Sequence, residues 1–203
     1  MRPEASDKSS DESSDETLLN AWREGQRSAG NQLLRRHFAA VFRFFNSKVD
    51  CPEDLTQRTF QACVESRDRI QGRVRAYLLG IARNQLLMFI RSKGRHQRRF
   101  LPQEHSVAAA LESPSQLVGR REDERRLAEA LRELPLDLQI AVELLYWEDF
   151  SIAEVAEITG TPAGTVKSRL HRARAALRRK LAEGRGDLQL VERTLRSLEQ
   201  HPL

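Results

Sequence analysis

The sequence predicts an all-α protein built as two small helical domains joined by a flexible linker. Three observations predict this. No segment alternates apolar and polar residues with a strand period over any useful length. Apolar residues recur instead at steps of three and four through two stretches, 17–95 and 121–183. Between them, residues 96–120 lose the pattern and hold Pro102, Pro114, Gly119 and a run of three alanines. With 203 residues, 39% of them apolar, the chain can fill two modest cores more readily than one large one.

The elements follow in order. Residues 1–16 (MRPEASDKSSDESSDE) are polar, low in complexity and rich in acid, and are expected to be disordered. Leu18, Trp22, Leu33, Leu34, Phe38, Val41, Phe42 and Phe45 then mark two helices, with Gly25 and Gly30 as the expected break. Asp50, Cys51, Pro52 and Glu53 read as a helix start: a capping acid, then a proline in the first turn. Gly72 interrupts, and 73–95 reads as one long helix with Val74, Tyr77, Leu78, Ile81, Ala82, Leu86 and Phe89 inward. Helical texture returns at 121–134, stops at Pro135 and resumes at 137–147. After two further helices, at about 151–159 and 162–183, Leu188, Val191, Leu195 and Leu198 give 184–203 the pattern of a short amphipathic helix. That helix would pack on the second domain or meet a partner.

Several function classes are excluded. Cys51 and Cys63 match no metal or redox spacing, and the five histidines form no HxxxH pair, so no metal site is expected. There is no paired-carboxylate, nucleophile–base or phosphate-loop signature, so neither catalysis, a cofactor nor a small-molecule substrate is expected. No run approaches the roughly 20 apolar residues of a membrane span and no signal peptide opens the chain. A soluble cytoplasmic protein without a membrane partner is the expectation.

Charge distribution says more than the net +5. Residues 165–181 carry seven Lys or Arg and no acid, a density suited to a polyanion such as DNA, or to a solvated helix face. The same stretch lies in the sharpest motif of the chain, SIAEVAEITGTPAGTVKSRLHRARAALRRKL at 151–181. Ser151 and Glu154 form a capping box. Gly160 stands where a left-handed turn is needed, and Thr161 and Pro162 suit the cap and first position of the second helix. Val166, Leu170, Ala173, Leu177 and Leu181 give that helix one apolar stripe. These are the parts of a helix-turn-helix. Thr165, Lys167, Ser168, Arg169, His171, Arg172 and Arg174 are its candidate DNA contacts, the earlier ones suited to base edges and the later ones to phosphates.

With these motifs in place, the chain resembles the small extracytoplasmic-function (ECF) sigma factors of bacterial RNA polymerase. PEDLTQRTF at 52–60 looks like the polymerase-binding segment of sigma region 2, and RAYLLGIARN at 75–84 looks like the part that melts and reads the −10 element. LPLD at 134–137 onward through Leu177 is similar to region 4. The resemblance implies region 2 at 17–95 and region 4 at 121–183. It implies core polymerase as partner, through its β′ coiled coil and β flap, together with promoter DNA and an anti-sigma factor.

Carried onto these residues, the resemblance makes Glu53, Asp54, Leu55, Gln57 and Phe60 the polymerase-binding candidates, with Phe60 as anchor and Leu55 favoured as core. Gln71, Arg73, Tyr77, Arg83, Asn84, Arg91, Lys93 and Arg95 become the −10 and melting candidates, with Gln71 and Arg73 at the base and the cations on phosphate. Arg58 stands where the family usually has an acid, Tyr77 where it often has Trp, and Met88 where it often has Asp. A conventional helix-turn-helix regulator acting without polymerase is the alternative that the residues leave open.

Overall fold

The computed structural model of the chain describes residues 6–96 and 127–183, with side chains over 14–92 and 127–181. Every regular element among them is helical, and the described residues fall into two separate units. The expected linker beyond position 96 and the expected helix at 184–203 lie outside the described residues.

The first unit holds α1 (Ser6–Arg23), α2 (Arg27–Asn46), α3 (Pro52–Glu65), a short 3-10 turn (Arg67–Arg69) and α4 (Val74–His96). α2 packs on α1, α3 and α4, and α3 packs on α4. The core is the apolar stripe of each helix: Leu19 and Trp22 from α1, Leu33, Val41 and Phe45 from α2, Leu55 and Cys63 from α3, and Leu78, Leu79, Ala82 and Leu86 from α4. The hydroxyls of Thr56 and Thr59 face the same interior and donate to the carbonyls of Pro52 (2.7 Å) and Leu55 (2.8 Å). Two polar groups are thereby buried at little cost.

Four sequence expectations change here. α1 begins at Ser6, so 6–16 is helical rather than disordered. The cause lies in tertiary contacts that composition cannot reveal. Asp15 is buried and accepts from Arg36 Nη1 at 2.6 Å, its other oxygen lies 2.7 Å from His37 Nε2, and Arg36 Nη2 donates to Ser14 Oγ at 3.1 Å. Gly25, at φ +100°, makes the break between α1 and α2, but Gly30 lies inside α2. A Cβ on Gly30 would fall 2.5 Å from Trp22 Nε1, so its role is to let the two helices touch. Phe38 is 51% exposed, while Phe44 supplies the buried ring in its place. Cys51, not Asp50, occupies the N-cap position of α3, without a side-chain capping hydrogen bond, and Pro52 stands in the first turn as expected.

The second unit holds a helical segment at 127–132 (α5), α6 (Leu136–Tyr146), α7 (Ile152–Thr159) and α8 (Ala163–Glu183). α6 and α7 both pack on α8, and Leu138, Leu144, Leu145, Val155, Ile158, Val166, Leu170 and Leu177 meet in the core. Both halves of the capping box form. Ser151 N donates to Glu154 Oε2 at 2.7 Å, and Glu154 N donates to Ser151 Oγ at 3.3 Å. Gly160 adopts φ +60°, ψ +36° and closes α7 by donating its N–H to α7 carbonyls. Thr161 departs from its expected capping role: its hydroxyl lies 2.8 Å from that of Thr159 and accepts from Arg169 Nη1 at 3.2 Å.

Candidate nucleic-acid and polymerase interfaces

α8 is buried along one stripe and carries cations elsewhere. Val166, Leu170, Ala173 and Leu177 are all at most 1% exposed, so this stripe fixes the rotation of the helix about its axis. That rotation leaves Lys167, Ser168, His171 and Arg172 exposed, over the first half of the helix where a major groove would be entered. Thr165 is half-buried at the margin.

The structure uses two of the predicted contacts differently. The side chain of Arg169 is only 16% exposed, and its Nε lies 3.2 Å from Asp137 Oδ2 in the first turn of α6. Arg174 donates to the Tyr146 hydroxyl from Nε (3.1 Å) and Nη2 (2.5 Å), with its guanidinium 5.9 Å from the ring centre. Both arginines hold α8 against α6 rather than presenting a free guanidinium outward. Of the α8 cations among the candidate DNA contacts, Lys167 and Arg172 are the two that are exposed. Position on α8 alone does not signal this, since Lys167 and Arg172 also stand one residue from the buried stripe; the partners Asp137 and Tyr146 on α6 make the difference.

In the first unit, α4 contains no Asp or Glu from Val74 to His96. Asn84 and Arg91 are exposed on it and Arg83 is half-buried. Lys93 and Arg95 sit on its last turns, beyond the described side chains. Tyr77 is half-buried and its hydroxyl donates to Ser66 Oγ at 3.0 Å, tying α4 to the end of α3. The loop before α4 turns at Gly72, φ +67°, leaving Gln71 exposed and Arg73 half-buried. Arg23 of α1 donates to the Ile70 carbonyl and braces this loop from behind. Gln71 and Arg73 border an open cavity of about 1220 Å3, whose wall also carries Arg23, Arg43, Arg75 and the acids Asp15, Glu16 and Asp68. Burial raises the Asp15 carboxyl, and the hydrogen bonds and charges of His37 and Arg36 more than reverse this. Asp15 is held below the ordinary carboxylate value.

The polymerase candidates lie on α3. Leu55 is 1% exposed and belongs to the core, as favoured. Glu53, Asp54 and Gln57 are exposed and Phe60 is half-buried. Phe60 stacks on Phe38 of α2 at 6.0 Å, and Phe38 in turn stacks on Phe42 at 5.9 Å. Phe38, Thr56, Gln57, Phe60 and Val64 border a shallow groove of about 530 Å3. Phe38 and Val64 were not foreseen as part of this face. The available signal was the number of aromatic residues in α2, where Phe38, Phe42, Phe44 and Phe45 exceed what one buried stripe can hold. Arg58 pairs with Asp54 at 2.9 Å across one helical turn, so the unusual arginine tempers the charge of the acid beside it. Among the described residues, no group of His, Cys, Asp and Glu is placed to hold a metal ion, and no helix is long and apolar enough to cross a membrane.

Comparison with known proteins matches the same two units. Residues 31–96 fit the family model for sigma-70 region 2, and 124–177 fit that for sigma-70 region 4. The chain is 31% identical over 178 residues to the ECF RNA polymerase sigma factor SigE of Mycolicibacterium smegmatis, covering 85% of this chain and 66% of that protein. It is 31% identical over 175 residues to the ECF RNA polymerase sigma factor SigM of Mycobacterium tuberculosis, covering 84% of this chain and 86% of that one. The sigma factor RpoE of Bartonella quintana, solved in complex with the anti-sigma factor NepR, superposes with a TM-score of 0.62 at 28% identity, covering 76% of this chain and 98% of that one. The chain belongs to the sigma-70 family of RNA polymerase sigma factors, in its extracytoplasmic-function branch.

Proposed function

We propose that this chain joins core RNA polymerase as its specificity subunit, opens the −10 element with the first unit and reads the −35 element as duplex with the second. One observation carries the reading. Each unit presents a helix almost free of carboxylates, α4 over Val74–His96 and α8 over Ala163–Ala182, to whatever it meets outside. A helix of that composition repels no phosphate along its length and attracts many.

The roles divide by chemistry. Lys167, Ser168, His171 and Arg172 face the major groove of the −35 duplex, with Arg169 and Arg174 setting the pitch of α8. Gln71 and Arg73, on the loop braced by Arg23, meet an unstacked −10 base, and Arg83, Asn84, Arg91, Lys93 and Arg95 follow the separated strand. Tyr77 supports the loop through Ser66. The groove of Phe38, Phe60 and Val64, rimmed by Glu53, Asp54 and Gln57, docks on the β′ coiled coil, and the second unit meets the β flap. No step of bond chemistry falls to this chain, and the protein works in the cytoplasm, where polymerase is. An anti-sigma factor, the kind of partner bound to the Bartonella relative, restrains it.

Electrophoretic mobility shift of a labelled promoter tests the reading. The chain alone should shift it weakly or not at all, and the chain with core polymerase should shift it specifically. A tight, sequence-specific shift by the chain alone would favour a conventional regulator instead.

A further inference from the structure

One exposed face of α4 has a composition that the fold itself does not explain. Gly80, Asn84, Met88 and Arg91 follow at steps of four, four and three, so they share one side of the helix. That side lies opposite Leu79, Ala82 and Leu86, which are fully buried. Met88 is 62% exposed, the most of any large apolar residue among the described side chains. Gly80 sits inside the helix, where glycine is a poor choice, yet a Cβ there would meet nothing within 4 Å among the described residues. Gly30 shows what a packing glycine looks like in this unit, with Trp22 against it, and Gly80 has no such neighbour. The surroundings are acid-free throughout α4.

An apolar, polarisable side chain on a carboxylate-free cationic helix, about two turns beyond a gap left by glycine, suits a nucleotide strand whose bases have left the duplex. We propose that Met88 packs on one unstacked base of a separated −10 strand, and that Gly80 leaves room for the strand to lie close to the backbone of α4. Met88 is thereby a specificity-determining residue. The inference rests on the function proposed above.

The mechanism separates Met88 from the cations around it. Packing on a base removes apolar surface from water and releases no counterion, whereas Arg91 on a phosphate does release one. Gly80→Ala should strengthen the helix while narrowing the seat, so stability and binding should move in opposite directions.

The test uses holoenzyme reconstituted from core polymerase and the full chain, with a labelled single-stranded DNA pool randomised at its centre. Wild-type holoenzyme should enrich a defined sequence. Met88→Ala should bind that sequence about fivefold more weakly, with base preference flattened at one position and the salt dependence unchanged. Met88→Leu should restore most of the binding. Arg91→Ala should weaken all sequences alike and lower the salt slope by about one. Gly80→Ala should raise the melting temperature and weaken binding. Wild-type affinity and preference in both Met88→Ala and Gly80→Ala would overturn the inference while leaving the sigma function intact. Failure of wild-type holoenzyme to enrich any sequence would overturn both.

Discussion

Arg169 Nε of α8 lies 3.2 Å from Asp137 Oδ2 at the start of α6, and its Nη1 donates to the Thr161 hydroxyl in the turn between α7 and α8. One guanidinium thus joins α8 to α6 and to the turn after α7. It fixes the angle at which the exposed cations of α8 leave the unit.

This relationship separates two kinds of arginine on one helix. Arg169→Ala should lower the melting temperature of the chain, a loss of up to about 1 kcal/mol for a partly exposed pair. Arg172→Ala should leave melting unchanged, weaken −35 binding by the holoenzyme, and reduce its salt slope by about one. Paired thermal melts and binding titrations at several salt concentrations check both. Equal melting temperatures for the two variants would place Arg169 among the DNA readers instead.

Gly160 closes α7 in the left-handed region, at φ +60°. Gly160→Ala forces a Cβ into that conformation and should destabilise the second unit by about 1–2 kcal/mol. Urea denaturation followed by circular dichroism measures it. The open space around Gly160 excludes a steric clash as the cause, so the whole loss is backbone strain.

The buried contact of Asp15 with His37 and Arg36 makes the stability of the first unit depend on acid. The folded chain holds the Asp15 carboxyl below its ordinary value, so the unfolded chain binds its proton first as pH falls. The contribution is complete above about pH 4 and is lost as pH drops through the lowered folded value. Asp15→Asn should be less stable at neutral pH, with a deficit that shrinks on acidification. Urea midpoints from neutral to about pH 3 check this, and a constant deficit would contradict it.

Cys51 is exposed, whereas burial pushes the Cys63 thiol up to about 11. At about pH 8, Ellman's reagent should label one thiol per folded chain and a second only on unfolding. Rapid labelling of both in the native chain would contradict the packing of α3.

The helix-turn-helix was legible because its signals are local. A capping box, a turn glycine and a stripe at steps of three and four all lie within 31 consecutive residues, and the structure realises each of them. What the sequence hid was set by distant partners. Ser14 and Asp15 are helical because Arg36 and His37, 21 or 22 positions on, receive them. Gly30 is a contact with Trp22 rather than a break, and Phe38 faces out because Phe44 fills the core. On α8, charge alone cannot distinguish Arg172 from Arg169, since only the position of Asp137 on another helix separates them. The class of the protein was readable from motif order, and the division of labour among its cations required packing.

Run-off transcription with core polymerase, with and without this chain, decides whether it acts as a specificity subunit. Core enzyme alone should give only unspecific transcripts. Adding the chain should produce a transcript with a defined start, weakened when Phe38 or Phe60 is replaced by polar residues in variants that still melt cooperatively. Unchanged start-site selection on addition of the folded chain would rule out a sigma function.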